Sequence, residues 1–506
     1  MLTKRRAYLL VEAVCLATAL LWILSAFPCT HPLYGSAGAD SAIFLCMGRG
    51  IAEGLIPYVD IIENKGPLFF LMMALPQMAV EGTVGVYVLE ALFLLGNCVL
   101  MMLMTRWLTG GRGNILCVAA GLYLLLNTCG QHCYCEEFDY FFMLVGFAVM
   151  VHTFTGQRRG EGMRAFALGL STSAVALIKV SDGIGLCVVT LIYFAYVLHE
   201  RRGFWREVAR YVAGAAVVMA PVIAYLCSVG ALGAMFQEYI INNFVHVASA
   251  KDVGFWEIRR WLIVNDTYGW LSLQPVLLML GAVLVRYLTC RKDPERMRRE
   301  KPLWLGMSLT AVGNLLCAFV SPLGFRQHLL MGYCTMLAAC VLGASAALEW
   351  LGARAAWLKW PEAAAAVCLL AAIIVPEIQD LAPQQLKAAQ QATEEEHAIQ
   401  CELLPYLEGC ETVYTIGVSP SWYWHTGLQP AYPYYNIVGF AADNVGAEQE
   451  VAFEQFLTQG TIEALVVGGD IEDYRSDLTN GIVEYVQNNY QLIVEDGYGR
   501  WLWTLI

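Results

Sequence analysis

Charge is what this sequence has least of. Only 15% of its 506 residues are Asp, Glu, Lys or Arg, against 58% hydrophobic, a balance that excludes an ordinary soluble globular protein. The chain has no internal repeat and no low-complexity segment, which excludes solenoids and long compositional linkers. It has no phosphate loop: "VVGGD" at 466–470 lacks the lysine and the spacing. Nothing in its charge pattern points to nucleic acid. Among its 17 cysteines there is no second ligand pair at zinc-site spacing beside "CGQHCYC" (129–135). That segment, with His132, leaves a metal site, a disulfide and free thiols all open. Most other cysteines sit inside apolar runs and read as small hydrophobes.

Long apolar runs are what the chain does have. The first, "AYLLVEAVCLATALLWILSAF", follows "MLTKRR" and approaches the roughly 20 residues that a bilayer crossing needs. It lacks the short core and small-residue cleavage site of a signal peptide, so it reads as a permanent span. Further runs predict spans near 84–105, 114–128, 138–156, 165–178, 183–199, 209–228, 269–289, 303–320, 329–350 and 362–376, eleven with the run at 7–27. Alternate loops hold 21 of the 31 Lys and Arg, among them "RYLTCRKDPERMRREK". The positive-inside rule puts these loops and the N-terminus in the cytoplasm and the C-terminus outside. The expected fold is therefore a polytopic α-helical membrane protein of about 11 transmembrane helices.

The overall charge of −12 is unevenly placed. From residue 377 onward there are twenty acids and three bases, a net of −17, which leaves +5 for the rest. Residues 377–506 read as a separate extracytoplasmic α/β domain. A helical start, "QQLKAAQQATEEEHAIQ", leads to strand-like "ETVYTIGV", "IEALVVG", "YQLIVED" and "RWLWTLI". Its aromatic stretch "SWYWHTGLQPAYPYY" reads equally as a sugar-stacking surface and as a core with a membrane-resting face. Residues 1–376 form the transmembrane module, with a long first external loop at 28–83.

The remaining charges gather on the external side: Asp40, Arg49, Glu53, Asp60, Glu63 and Lys65 in the first loop, then Glu136, Glu137 and Asp139. Lys179 and Asp182 sit in a break between two runs, and Arg326 and His328 precede the tenth span. Ionisable groups at membrane depth generally serve a cavity. On that ground Asp40, Lys65, Glu136 and Glu137 read as functional, and Arg49 and Glu53 as solvated loop charges. "DSAIFLCMGRGIAEG" has apolar residues at helical spacing and predicts an interfacial amphipathic helix, with Asp40 at its start where a carboxylate can also cap. "GLIPYVD" turns the chain, and "KGPLFFLMMALP" is too short to span.

"GADSAIFLCMGRGIAEGLIPYVDIIENKGPLFF" (38–70) resembles the first external loop of GT-C glycosyltransferases, in the branch of protein O-mannosyltransferases and the lipid A aminoarabinose transferase. The features that carry the likeness are the acid after span one, the "G…PY.D" turn, "KGPL", and "EEF" at span four. The resemblance implies an inverting enzyme that uses a polyprenyl-phosphate sugar donor and a glycan, lipid or protein acceptor at the outer face of the cell membrane. It implies Asp40 as general base and Lys65 at the donor phosphate, with Lys179, Arg326 and His328 as further phosphate contacts. Asp60, Glu63, Glu136 and Glu137 would shape the sugar or acceptor site, although Asn64 separates Glu63 from the lysine that such an acid directly precedes in relatives. No cofactor is firmly implied, and a divalent metal bridging Asp40 and Glu136 or Glu137 stays open.

Elementary chemistry agrees with these roles. Transfer needs a base at the acceptor, and a phosphate leaving group needs cations more than a proton. Two other readings compete: a flippase for lipid-linked sugars, which would carry charges near the bilayer midplane, and a non-catalytic assembly partner.

Overall fold

The structure, a computed structural model, describes residues 29–32, 35, 38–110, 117–118, 133–157, 159–200, 203–245, 269–320, 331–352, 383–435, 444–475 and 478–506. Among these, the helices in chain order are α1 (Ala39–Ala52), α2 (Pro67–Ala79), α3 (Val84–Thr109), α4 (Cys135–Phe154), α5 (Arg164–Ile178), α6 (Ile184–His199) and α7 (Phe204–Ser228). A π-helical segment, Phe236–Asn242, comes next, followed by α8 (Gly269–Cys290), α9 (Pro294–Val320) and α10 (Met331–Gly352). Six stretches are long and apolar enough to cross a membrane: Val84–Thr109, Cys135–Phe154, Val180–His199, Phe204–Ser228, Leu273–Cys290 and Met331–Trp350. The protein is thus a multi-pass membrane protein. Of the eleven expected spans, 7–27 and 362–376 lie outside the described residues, as does nearly all of 114–128.

The chain divides into two compact units. One comprises Met1–Phe27, Tyr87–Val222 and Trp256–Ala382; the other comprises Pro28–Val86, Ile223–Phe255 and Pro383–Ile506.

In the first unit a buried ion network ties α8, α9 and α10 together. Arg286, 1% exposed, donates to Glu300 (2.8 Å) and to Glu349 (2.9 Å). Arg296 donates to the same two carboxylates at 2.8 and 2.6 Å. Two guanidinium groups balance two carboxylates, so the desolvation of each charge is offset only while the set stays complete. Glu300→Ala is expected to lower stability by about 3 kcal/mol, near the low end for a broken buried pair because Glu349 remains. Thermal unfolding in detergent measures this.

In the second unit α1 and α2 pack face to face. Gly48 makes this approach possible, since a Cβ there would lie 2.5 Å from the Gln77 amide and 2.7 Å from Met73. Gln77 Nε2 in turn donates to the Leu45 carbonyl (3.0 Å), and the rings of Phe44 and Phe69 meet edge-on at 4.9 Å. Gly66 is the N-cap of α2 and Pro67 its first residue, where the missing N–H costs nothing.

The tail begins with α11 (Pro383–Gln400) and continues through β1 (Val413–Ile416), α12 (Ser421–Thr426), α13 (Asn444–Leu457), β2 (Ala464–Val467), α14 (Asn480–Asn489), β3 (Tyr490–Glu495) and β4 (Trp501–Leu505). All four strand-like segments are strands. They form one sheet in the order β1-β2-β4-β3. β1 and β2 are parallel, with Val413 opposite Ala464, while β4 is antiparallel to both of its neighbours. Tyr414, Leu465, Phe453 and Ile482 lie in the core.

The tail aromatics resolve toward this interior. Trp422 and Tyr423 are fully buried, and Tyr432 and Tyr435 are buried, so these rings do not present a sugar-stacking surface. Arg49 is likewise no ordinary solvated charge. Its guanidinium donates to the carbonyls of Tyr423 (2.8 Å), Leu428 (3.1 Å) and Trp424 (3.2 Å) and stands over the Trp424 ring. A cation thereby satisfies carbonyls at the C-terminal end of α12.

Candidate active site

The candidate residues fall into two groups, each within one unit.

In the second unit, α1 carries Asp40 in its first turn, half-buried. The N-cap position belongs to Gly38, one residue before the helix, and Asp40 lies inside the first turn. The N-terminal end of the helix still favours a carboxylate there. One turn further on the same face is Phe44. The Lys65 ammonium stands over the Phe44 ring at 5.7 Å from its centroid. Lys65 Nζ also donates to Glu63 Oε1 (3.1 Å) and to Asn64 Oδ1 (2.5 Å). The loop therefore grips its lysine with the two residues that precede it.

Tyr58 builds that loop. Its φ of 66° is a left-handed conformation that a bulky side chain adopts only when its surroundings enforce it. Here its N–H donates to the Ile61 carbonyl (2.7 Å) and its hydroxyl to the Lys65 carbonyl (2.7 Å). Burial, with Tyr239 and Glu63 close by, pushes the phenol well above its ordinary pKa, so it stays a donor. Asp60 is exposed, and its Oδ2 accepts from the Ile56 N–H (2.7 Å), closing the turn.

In the first unit, Glu136 and Glu137 lie within the first turn of α4, which begins three residues earlier than the expected span. Both are buried. Lys179, between α5 and the next span, donates to Glu136 Oε1 (2.5 Å) and lies 3.6 Å from Asp182 Oδ1. Asp139 is fully buried beside Asp182, Glu136 and Lys179, and neither of its carboxylate oxygens has a hydrogen-bond partner among the described residues. One ammonium thus meets two buried carboxylates, with the buried Asp139 beside them. The sequence signal for this cluster was the break between two apolar runs that holds Lys179 and Asp182; its pairing with α4 has no local signature.

Arg326 and His328 lie outside the described residues, as do Cys129 and His132. Cys133 and Cys135 are buried, and the Cys135 thiol donates to Glu136 Oε2 (3.1 Å). Among the described residues no three His, Cys, Asp or Glu side chains converge as a metal set. Glu136 Oε1 is engaged by the Lys179 ammonium.

No family model matches the sequence, and no curated protein matches it. Solved structures do. ArnT from Cupriavidus metallidurans in the apo state matches with a TM-score of 0.58 at 14% identity, over 100% of this chain and 98% of that one. The same protein bound to undecaprenyl phosphate gives 0.56 at 15% identity, over 98% of each chain. The Archaeoglobus fulgidus oligosaccharyltransferase AglB, in complex with an inhibitory peptide and a dolichol-phosphate, gives 0.51 at 11% identity, over 99% of this chain and 74% of that one. ArnT, the lipid A aminoarabinose transferase, and AglB are both GT-C superfamily members, and this chain has the GT-C fold.

Proposed function

We propose that the chain is a membrane glycosyltransferase that moves a sugar from a polyprenyl-phosphate donor to an acceptor at the outer face, with inversion. One observation carries the reading. Lys65 stands over Phe44, and Asp40 lies four residues earlier on the same face of α1, a rise of about 6 Å along the helix. A carboxylate and an ammonium gathered beside one helix face suit the two ends of a displacement at an anomeric carbon. Asp40 takes the proton from the acceptor hydroxyl as its oxygen bonds to the carbon. The bond from that carbon to the phosphate oxygen breaks, its electron pair stays on the phosphate, and Lys65 stabilises the charge that develops. The products are the glycosylated acceptor and a polyprenyl phosphate.

The shared fold supports this reading, because ArnT and AglB were solved with undecaprenyl phosphate and a dolichol-phosphate. Glu63 is assigned to holding Lys65, and Asp60 to the turn. Glu136 and Glu137 are proposed for the sugar or acceptor, with Lys179 acting mainly through Glu136. Arg326 and His328 are proposed as phosphate contacts on the resemblance alone. The orientation follows the basic loops, with the N-terminus cytoplasmic and the tail extracytoplasmic.

The buried Asp139 and Asp182 favour a second reading, a flippase, since charges within spans mark translocation paths. Proteoliposomes separate the two. The enzyme reading predicts that one donor from a panel of polyprenyl-phosphate sugars is consumed, with release of polyprenyl phosphate. Movement of labelled lipid across the bilayer without consumption would replace it with the flippase.

A further inference from the structure

The segment after α7 contains a seven-residue π-helix, Phe236–Asn242. π-helical turns are rare and are often found at functional sites. This one ends at Asn243, whose amide Nδ2 donates to two main-chain carbonyls, Asn64 (2.9 Å) and Tyr239 (2.7 Å). Asn64 is the residue whose own side chain receives the Lys65 ammonium. The Lys65 carbonyl is held in turn by the Tyr58 hydroxyl. The Asn64–Lys65 dipeptide is therefore tethered at both of its carbonyls, by Asn243 on one side and Tyr58 on the other.

The π-helix itself is fixed to the tail. Glu238 Oε2 accepts from Asn242 (2.8 Å) and from the Tyr434 hydroxyl (3.3 Å), which Gln449 also reaches (2.9 Å). The loop meets the same strip of tail, since the Ile62 N–H donates to the Pro433 carbonyl (2.8 Å). Asn243 thus stands where a segment anchored on the tail reaches the lysine loop.

We propose that Asn243 is a positioning residue for Lys65, setting where the ammonium meets a lipid monophosphate. The proposal rests on the phosphate role assigned to Lys65 above. A side-chain amide suits the place, because its NH₂ can serve two carbonyls at once. An aspartate of the same shape would set a carboxylate against both carbonyls.

The test is a double-mutant cycle on the full chain in nanodiscs, with undecaprenyl phosphate as the probe. Asn243→Asp is expected to raise its Kd roughly tenfold, the scale of losing a bond that orders a charged contact. In a Lys65→Met background the same substitution should change Kd no further, because it acts through the missing ammonium. An equal loss in both backgrounds, or no loss with Lys65 present, overturns the proposal while leaving Lys65 as the phosphate contact. If Lys65→Met alone leaves Kd unchanged, the phosphate reading of Lys65 falls and the role of Asn243 falls with it.

Discussion

Lys65→Ala is expected to slow sugar transfer by roughly two to three orders of magnitude, the usual cost of removing one preorganised donor from a developing oxyanion. The ammonium is held before any donor arrives, by Glu63 Oε1 at 3.1 Å, Asn64 Oδ1 at 2.5 Å and the face of Phe44. Such a group stabilises leaving-group charge without reorganising when the bond breaks. The effect should therefore fall mainly on the single-turnover rate and less on acceptor KM. Lys65→Arg should recover little, because a planar guanidinium cannot occupy the point held by Glu63, Asn64 and the Phe44 ring. The fold should survive, since Lys65 sits on a partly exposed loop. Single-turnover rates in proteoliposomes measure the effect. A rate within threefold of wild type would remove Lys65 from the chemistry.

Lys179→Met should cost about 3–5 kcal/mol of stability, the scale for removing one partner of a buried ion pair. Lys179 is bonded to Glu136, lies near Asp182 and shares its surroundings with Asp139. Without it, the buried Glu136, Asp139 and Asp182 lose the ammonium that balances their charge. Neutralising acids should restore what the lysine supplied, so Lys179→Met with Glu136→Gln should be more stable than Lys179→Met alone. Chemical unfolding in detergent, followed by tryptophan fluorescence, checks the order. If the double variant is the weaker one, the cluster is held by something other than this charge balance.

What the sequence made legible was mostly local. The helix from Asp40, the Gly66–Pro67 start of α2 and the four tail strands are written in spacing, cap chemistry and β-branched runs that act within a few residues. What it concealed depends on chain-distant partners. Arg49 meets carbonyls some 375 residues away, so it looked like a loop charge. Lys179 meets Glu136, 43 residues back in the chain, a pairing with no local signature in the sequence. The aromatic stretch at Trp422 and Tyr423 was ambiguous for another reason: ring density marks cores and binding faces alike, and only burial separates them. The start of α4 at Cys135, three residues before the expected span, is blurred in the sequence by Glu136, Glu137 and Asp139.

Asp40→Asn offers the most direct test of the central claim. The substitution keeps the size and place of the side chain in the first turn of α1 but removes its basicity. With the donor that the wild type consumes, undecaprenyl phosphate binding is expected to be unchanged and the transfer rate lower by roughly two to four orders of magnitude. A folded Asp40→Asn variant that transfers sugar at the wild-type rate would contradict it.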